Sequence, residues 1–421
     1  MVVPENRSAP RISPTSSDFV EVLSDSIFKS LPRSDQRRWA QVYLQGLVAT
    51  PGKKTIRNIA GEWKSPVEQS LQQFISKSPW EWSPVRQELA RFLETNVQRS
   101  LAWVIRPLVI EKAGSHSVGV ARQFVAQLGR VANCQQAVGI WLVSERAGFP
   151  VEWSLILPPP WTTESGLRRR ARIPESDGPP TPVQAALHSV SQMVGSWPLE
   201  VRPVIMDLND AEPLETISAL IAMNVPFILK VKGSLPVALG SDARRHVDLR
   251  SVTADYLIKL LRAQRRPVEW NCPLKGERLV APLVAQDVLI QPAGGDPVQL
   301  QLLGAWPPGG GELPTEFWLS NMVRTPSAQV FRLAKLSDRV TRDFDDFCDP
   351  IGIRDFSGRS FRGWHHHATL VAAAHAVAVL VKWADNGAEA GLAPPVERPS
   401  VQPATGFMHA PSARPQWLAS G

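Results

Sequence analysis

Clusters of arginine and lysine carry the chemistry most directly legible in this chain. Lys53, Lys54 and Arg57 lie together, Arg168, Arg169, Arg170 and Arg172 form the densest run, and Arg359 and Arg362 stand within GRSFRGW. Further groups occur at Arg244 and Arg245 and at Arg262, Arg265 and Arg266. Such side chains neutralise phosphates, and guanidinium does so bidentately, so a polyanionic partner is what these residue types fit. For any single cluster, a charged loop facing solvent is the plainer alternative. Trp161 and Trp364 flank two of the clusters and would either stack on bases or pack in a core.

Two other constellations resemble metal or nucleophile sites. His365, His366 and His367 precede His375, and positions 367 and 375 are eight apart, on one helix face. No carboxylate or thiol joins them at ligand spacing, so they are expected to satisfy backbone groups near the core rather than to hold a metal. Cys134, Cys272 and Cys348 form an odd set without CxxC spacing, which argues against a disulfide framework and a zinc cluster and suits a reducing cytoplasm. The DFDDFCD run at 343 to 349 reads as a solvated acidic helix face, with Val340, Phe344 and Phe347 packing inward.

The elements that must position these groups are bounded by composition. With 421 residues, 43% hydrophobic and 20% charged, the chain has material for a sizeable core and for two or three structural units. Lysine plus arginine total 46 against 39 acids, a net charge of +7, which suits a polyanionic partner. The first twenty residues lack an apolar signal core, and the longest apolar stretch, Ala368 to Val381, contains His375 and falls short of a bilayer's ~20 residues. Neither secretion nor membrane spanning is expected.

Residues 1–17 and 388–421 read as tails rich in Pro, Ser and Ala. Helical spacing of apolar residues predicts a helical N-terminal domain over 18–98. Strand-like runs at 101–110, 139–143, 151–157, 203–207 and 225–231, with a helix near 214–222, predict a mixed sheet over 99–232. Short runs among Gly and Pro clusters suggest a β-rich insertion over 233–325. Two helices, 327–349 stopped by Pro350 and 363–383, would close the core within 326–387.

Four stretches, in order, resemble the insertion-sequence transposases of the DDE superfamily. They are HSVGVARQF at 116–124 with GRVANCQQAV at 129–138, LPPPWTTESGLRRRARIPE at 157–175, FWLSN at 317–321 with FRLAKL at 331–336, and GRSFRGWHHHATL at 358–370. The resemblance implies an α/β, RNase H-like mixed sheet with flanking helices. It also implies two divalent ions held between three carboxylates, on the first strand, at the end of the fourth strand and on a late helix. Counting back from His116, the first acid position falls on Arg106 and Pro107. Asp207, ending PVIMD, matches the second, although a strand-end aspartate also caps turns. Thr341 stands at the third, and Cys348 replaces an accessory lysine. Asp345, one turn beyond Thr341, is the acid that would reach toward Asp207 and hold a single ion.

A retained scaffold with exchanged acids implies a transposase-derived DNA-binding protein, a regulator or accessory factor that has lost cleavage and strand transfer, with Asp207 vestigial. No cofactor is then expected, and Mg2+ or Mn2+ enters only for the alternative, an active transposase. A third reading re-uses the old cleft, with Arg106 lowering the Cys348 pKa so that it reacts as thiolate. By resemblance the protein would form a homodimer on DNA, without a membrane, in the cytoplasm and on the nucleoid when DNA-bound.

Overall fold

The computed structural model describes residues 15–61, 65–174, 181–207, 213–239, 251–292 and 295–386. The chain opens with five helices, α1 (Ser16–Ile27), α2 (Ser34–Ala49), α3 (Ile56–Ala60), α4 (Ser65–Ser76) and α5 (Trp82–Asn96). Their starts are written locally. Thr15 and Asp18 form a reciprocal capping box on α1, and the Thr55 hydroxyl accepts the Asn58 amide at the start of α3.

The sheet begins with β1 (Ala102–Glu111), β2 (Ala121–Val125), β3 (Arg130–Val143) and β4 (Gly148–Leu155). Helices α6 (Pro159–Thr163), α7 (Ser165–Ala171) and α8 (Pro182–Ser196) lead to β5 (Val204–Met206), and α9 (Pro213–Ala222) leads to β6 (Phe227–Val231). β1, β3 and β4 pair antiparallel, while β1, β5 and β6 pair parallel, giving the mixed sheet that the RNase H-like expectation required. Close approach at Gly139 lets β3 and β4 meet, since a Cβ there would stand 2.7 Å from the Trp153 ring.

The stretch from 233 onward extends this sheet rather than standing apart from it. It contributes β7 (Pro236–Ala238), β8 (Ser251–Thr253), α10 (Ala254–Leu260), β9 (Arg266–Cys272), β10 (Glu277–Ile290), β11 (Val298–Ala305) and β12 (Glu316–Ser320). β12 pairs antiparallel with β6, and the order runs β2-β3-β1-β5-β6-β12-β11-β10-β7-β8, with β4 on β3 and β9 on β10.

Two differences from the sequence reading concern the last helices. The segment expected as one helix from 327 is divided into α11 (Ser327–Ala334) and α12 (Leu336–Asp343), followed by a π turn over Phe344–Cys348. Helix α13 (Phe361–Asp385) is long and apolar enough to cross a bilayer, but 72% of its apolar window is packed inside the protein. One apolar core runs from Phe19 on α1 through the sheet to Leu380 on α13.

The charged groups buried in that core are paired. Arg86 on α5 donates to the Glu152 carboxylate on β4, to the Trp153 carbonyl at 2.7 Å and to the Thr369 hydroxyl on α13 at 2.7 Å. Burial pulls the Arg86 pKa down and the Glu152 pKa up, each opposed by its partner. A guanidinium with this many acceptors stays charged. Three of the four histidines singled out in the sequence meet backbone carbonyls, while the His365 ring faces the Arg86 guanidinium at 3.2 Å. His366 lies between the Ile75 and Trp80 carbonyls at 2.9 Å each and stacks on Trp80, His367 joins the Tyr43 hydroxyl to the Gly352 carbonyl, and His375 meets the Gly148 carbonyl. Burial lowers the pKa of all three to about 4.

Candidate functional site

The resemblance drew attention to the ends of β1 and β5, and the pairing of Ile105 with Met206 brings their next residues, Arg106 and Asp207, level. Both line a cavity of about 370 Å³ with Thr341 of α12, so three of the positions singled out in the sequence do converge. The chemistry found there is not that of an open carboxylate cluster. Asp207 Oδ2 is 2.8 Å from Lys230 Nζ on β6, while Oδ1 is buried without a hydrogen-bond partner. The Arg106 guanidinium sits 3.9 Å from the centre of the Phe344 ring, and burial lowers its pKa against the pull of Asp345. Thr341 donates its hydroxyl back to the Ser337 carbonyl at 3.1 Å.

Two acids in this cavity escaped the sequence reading. Glu316, the first residue of β12, receives Lys335 Nζ at 2.6 and 2.8 Å, and although burial acts upward, Lys335 holds its pKa below the usual value. Asp338 on α12 is raised by burial, opposed by Lys335 and reinforced by the nearby Glu316 and Asp207 charges. A signal for each was present. Glu316 immediately precedes the FWLSN motif, and Asp338 lies three residues, one helical turn, before Thr341.

The cleft is therefore three carboxylates facing two lysines and one arginine. A pair of divalent ions does not fit it. Arg106 brings positive charge to the first ligand position, Thr341 has spent its hydroxyl on the helix, and Lys230 already pairs with one oxygen of Asp207. Among the described residues no three His, Cys, Asp or Glu side chains are arranged to hold a metal ion.

Asp345 does not reach this cavity. The π turn that starts at Phe344 widens the helix to an i to i+5 bond, seen as Asp349 N–H to Phe344 O at 2.9 Å, and breaks the spacing on which a shared face with Thr341 depended. Asp345 is exposed, acts on Arg106 and is absent from the lining of the Asp207 cavity. Asp343 also departs from the expected solvated face. It is 3% exposed, its carboxylate accepts the Gly148 amide at 2.7 Å, and burial raises its pKa to about 6. Cys348 is fully buried and its pKa is pushed up by that burial, with Arg106 opposing too weakly, so the reactive-thiolate reading is reversed.

The basic stretches meet elsewhere. A second cavity, of about 590 Å³, is lined by Lys54 and Arg57, by Arg170 and Arg172, by Arg359 and by Lys77, which the sequence reading had not singled out. Among the described residues Glu68 and Asp355 are its only acids, so six cations face two carboxylates. Segments far apart in sequence, at 54–77, at 170–172 and at 359, thus form one positive surface. The Lys54 amide donates to Asp355 Oδ2 at 2.7 Å and fixes the loop before α3 against the loop before α13. Burial lowers the Lys54 pKa, with Asp355 opposing.

Not every predicted cation joins. Arg168 is used locally, donating to the Thr162 carbonyl at 3.1 Å and the Pro174 carbonyl at 2.6 Å. Lys53 and Arg169 are exposed but do not line the cavity, and Arg362 lies 3.9 Å from Glu81. Arg244 and Arg245 fall outside the described residues. Trp161 and Trp364 are buried and belong to the core, the former donating to the Val120 carbonyl at 2.8 Å, so neither is a stacking platform for bases. Arg172 caps the C-terminus of α7 with φ 55° and ψ 45°, a left-handed conformation that costs a non-glycine residue roughly 1–2 kcal/mol.

A family model described as DDE superfamily endonuclease matches residues 26–235, from the first helix into the strand pair β5 and β6 and just beyond. Comparison with curated proteins gives no match.

Proposed function

The chain is a DDE-superfamily, transposase-like protein, and from that premise we propose that it binds double-stranded DNA without cutting it, as a regulator or accessory factor. One observation carries the reading: the carboxylate left at the second acid position, Asp207, is neutralised by Lys230 at 2.8 Å, while Arg106 stands at the first position and Thr341 at the third. Strand transfer in such enzymes needs hard cations between acids, and each replacement removes an oxygen ligand or adds a repelling charge. DNA binding has separate requirements, phosphate contacts from unneutralised cations, and the cavity around Arg57, Arg170 and Arg359 supports that half of the proposal.

The test has two parts. Fluorescence anisotropy with a DNA duplex should show binding that weakens steeply with salt. Supercoiled plasmid incubated with the protein in Mg2+ or Mn2+ should stay intact. Nicking by the wild type that disappears in Asp207→Ala would overturn the loss of cleavage, and absence of any duplex binding would overturn the rest.

A further inference from the structure

The cavity lined by Arg172 has properties that duplex binding alone does not call for. Among the described residues, five of its cations, Arg57, Lys77, Arg170, Arg172 and Arg359, have no ion pair or hydrogen-bond partner for their charged groups, whereas Arg33, Arg91, Arg99 and Arg130 on the surface are paired. The charge is concave. It is held in a recess of about 590 Å³ whose floor includes Phe356, stacked on His367 at 5.6 Å. Beside it begins α13, capped by the Ser360 hydroxyl on the Gly363 amide, so the positive end of a 25-residue helix adds to the field.

The second observation is backbone strain at one lining residue. Arg172 closes α7 in the left-handed region, with Ile173 N–H bonded to Arg168 O at 3.0 Å, the helix-ending geometry in which glycine is the usual residue. Among the described residues only Arg172 and Asn224 adopt positive φ without being glycine, and asparagine tolerates that region while arginine does not. An arginine kept where glycine would fold more easily is accounted for by its side chain, which is exposed and faces the recess.

We propose that this recess takes the phosphates of a single DNA strand, with Arg172 as the residue that holds them. A duplex is too broad to enter a cavity of small-ligand size, whereas a positively charged groove with an apolar floor is the arrangement that tracks one strand's backbone. The proposal rests on the DNA-binding reading above and narrows it. The protein would favour DNA whose strands separate beside a paired segment, with Arg57, Arg170 and Arg359 meeting the phosphates of the duplex and Arg172 those of the freed strand.

Anisotropy titrations of the full chain would compare a blunt duplex with the same duplex carrying a single-stranded extension, at one salt concentration. Wild type should bind the extended DNA about tenfold more tightly, the worth of one charge-assisted phosphate contact. Arg172→Gly, and independently Arg172→Asn, should remove that preference by weakening binding of the extended DNA more than that of the blunt duplex, and keep the thermal midpoint at or above wild type. Arg169→Ser, a neighbouring cation off the recess, should keep the preference. Equal binding of the two DNAs by wild type, or equal weakening of both by Arg172→Gly, would overturn the recess while leaving duplex binding standing. Stabilisation by inorganic pyrophosphate without any preference for the extension would assign the site to free phosphate compounds and also overturn it. Failure to bind either DNA would overturn the underlying reading as well.

Discussion

Replacing Arg57, Arg170 and Arg359 together by serine should change the salt dependence of DNA binding by a calculable amount. All three are exposed, line the basic cavity and have no partner among the described residues, so their removal breaks no described contact and should leave folding stability within about 0.5 kcal/mol. Each phosphate neutralised contributes roughly −0.9 to the slope of log K against log salt, so three lost contacts flatten the slope by about 2.7. Across a fourfold rise in salt, from about 0.05 to about 0.2 M, the wild type should lose about 40-fold more affinity than the triple variant. The assay is fluorescence anisotropy on one duplex at several salt concentrations, with thermal melting as a control on folding. Parallel slopes for the two proteins would refute the assignment of this cavity to phosphate contacts, whatever happens to the absolute affinity.

Two stability predictions follow from buried charges. Arg86→Met should cost about 3–5 kcal/mol in urea unfolding at pH 7, because the Glu152 carboxylate is left in the core without its partner, while Arg86→Met combined with Glu152→Leu should recover most of the loss; a cost below about 1 kcal/mol for the single variant would contradict the pairing. Asp343, raised from 3.8 to about 6, is protonated more readily in the folded than in the unfolded protein, so it favours folding below pH 3.8 and that contribution is lost as the pH rises through about 6. At 1.36 kcal/mol per pH unit the difference amounts to about 3 kcal/mol. Asp343→Asn keeps an oxygen for the Gly148 amide, so its stability relative to wild type should improve between pH 4 and pH 7, less what the Arg339 contact at 3.8 Å contributes. A flat difference across that range would refute it.

The sequence exposed chemistry better than geometry. Asp207 could be found because an apolar strand ends on it, and the histidines of α13 could be assigned to backbone carbonyls because no ligand partners accompany them. The basic stretches could be recognised one by one, but their meeting depends on the Lys54 to Asp355 bond across 301 residues, which no local pattern encodes. Glu316 and Asp338 stand just outside the recognised motifs, and only the fold brings Glu316 to Lys335, 19 residues on, and both acids to the Asp207 cavity. The π turn at Phe344 defeated the helical spacing on which Asp345 was judged, since one extra residue per turn rotates every later side chain. β2 was missed because its five residues alternate weakly on an edge, and the strands after 233 were set apart because β12 returns to β6 only after about 85 intervening residues.

The position of α13 has a consequence for how the protein is made. Helices α1, α2, α4 and α5 are synthesised first, yet their apolar faces lie against a helix made last: Tyr43 bonds His367 across 324 residues, and the Ile75 carbonyl meets His366 across 291. Until residue 361 has left the ribosome these helices have only one another and β4 to pack against, and the faces that meet α13 stay uncovered. Contacts of such long sequence separation make folding slow and keep the nascent chain prone to aggregation. A chain interrupted anywhere before Phe361 should therefore be a target for chaperones and proteases rather than a smaller working fragment.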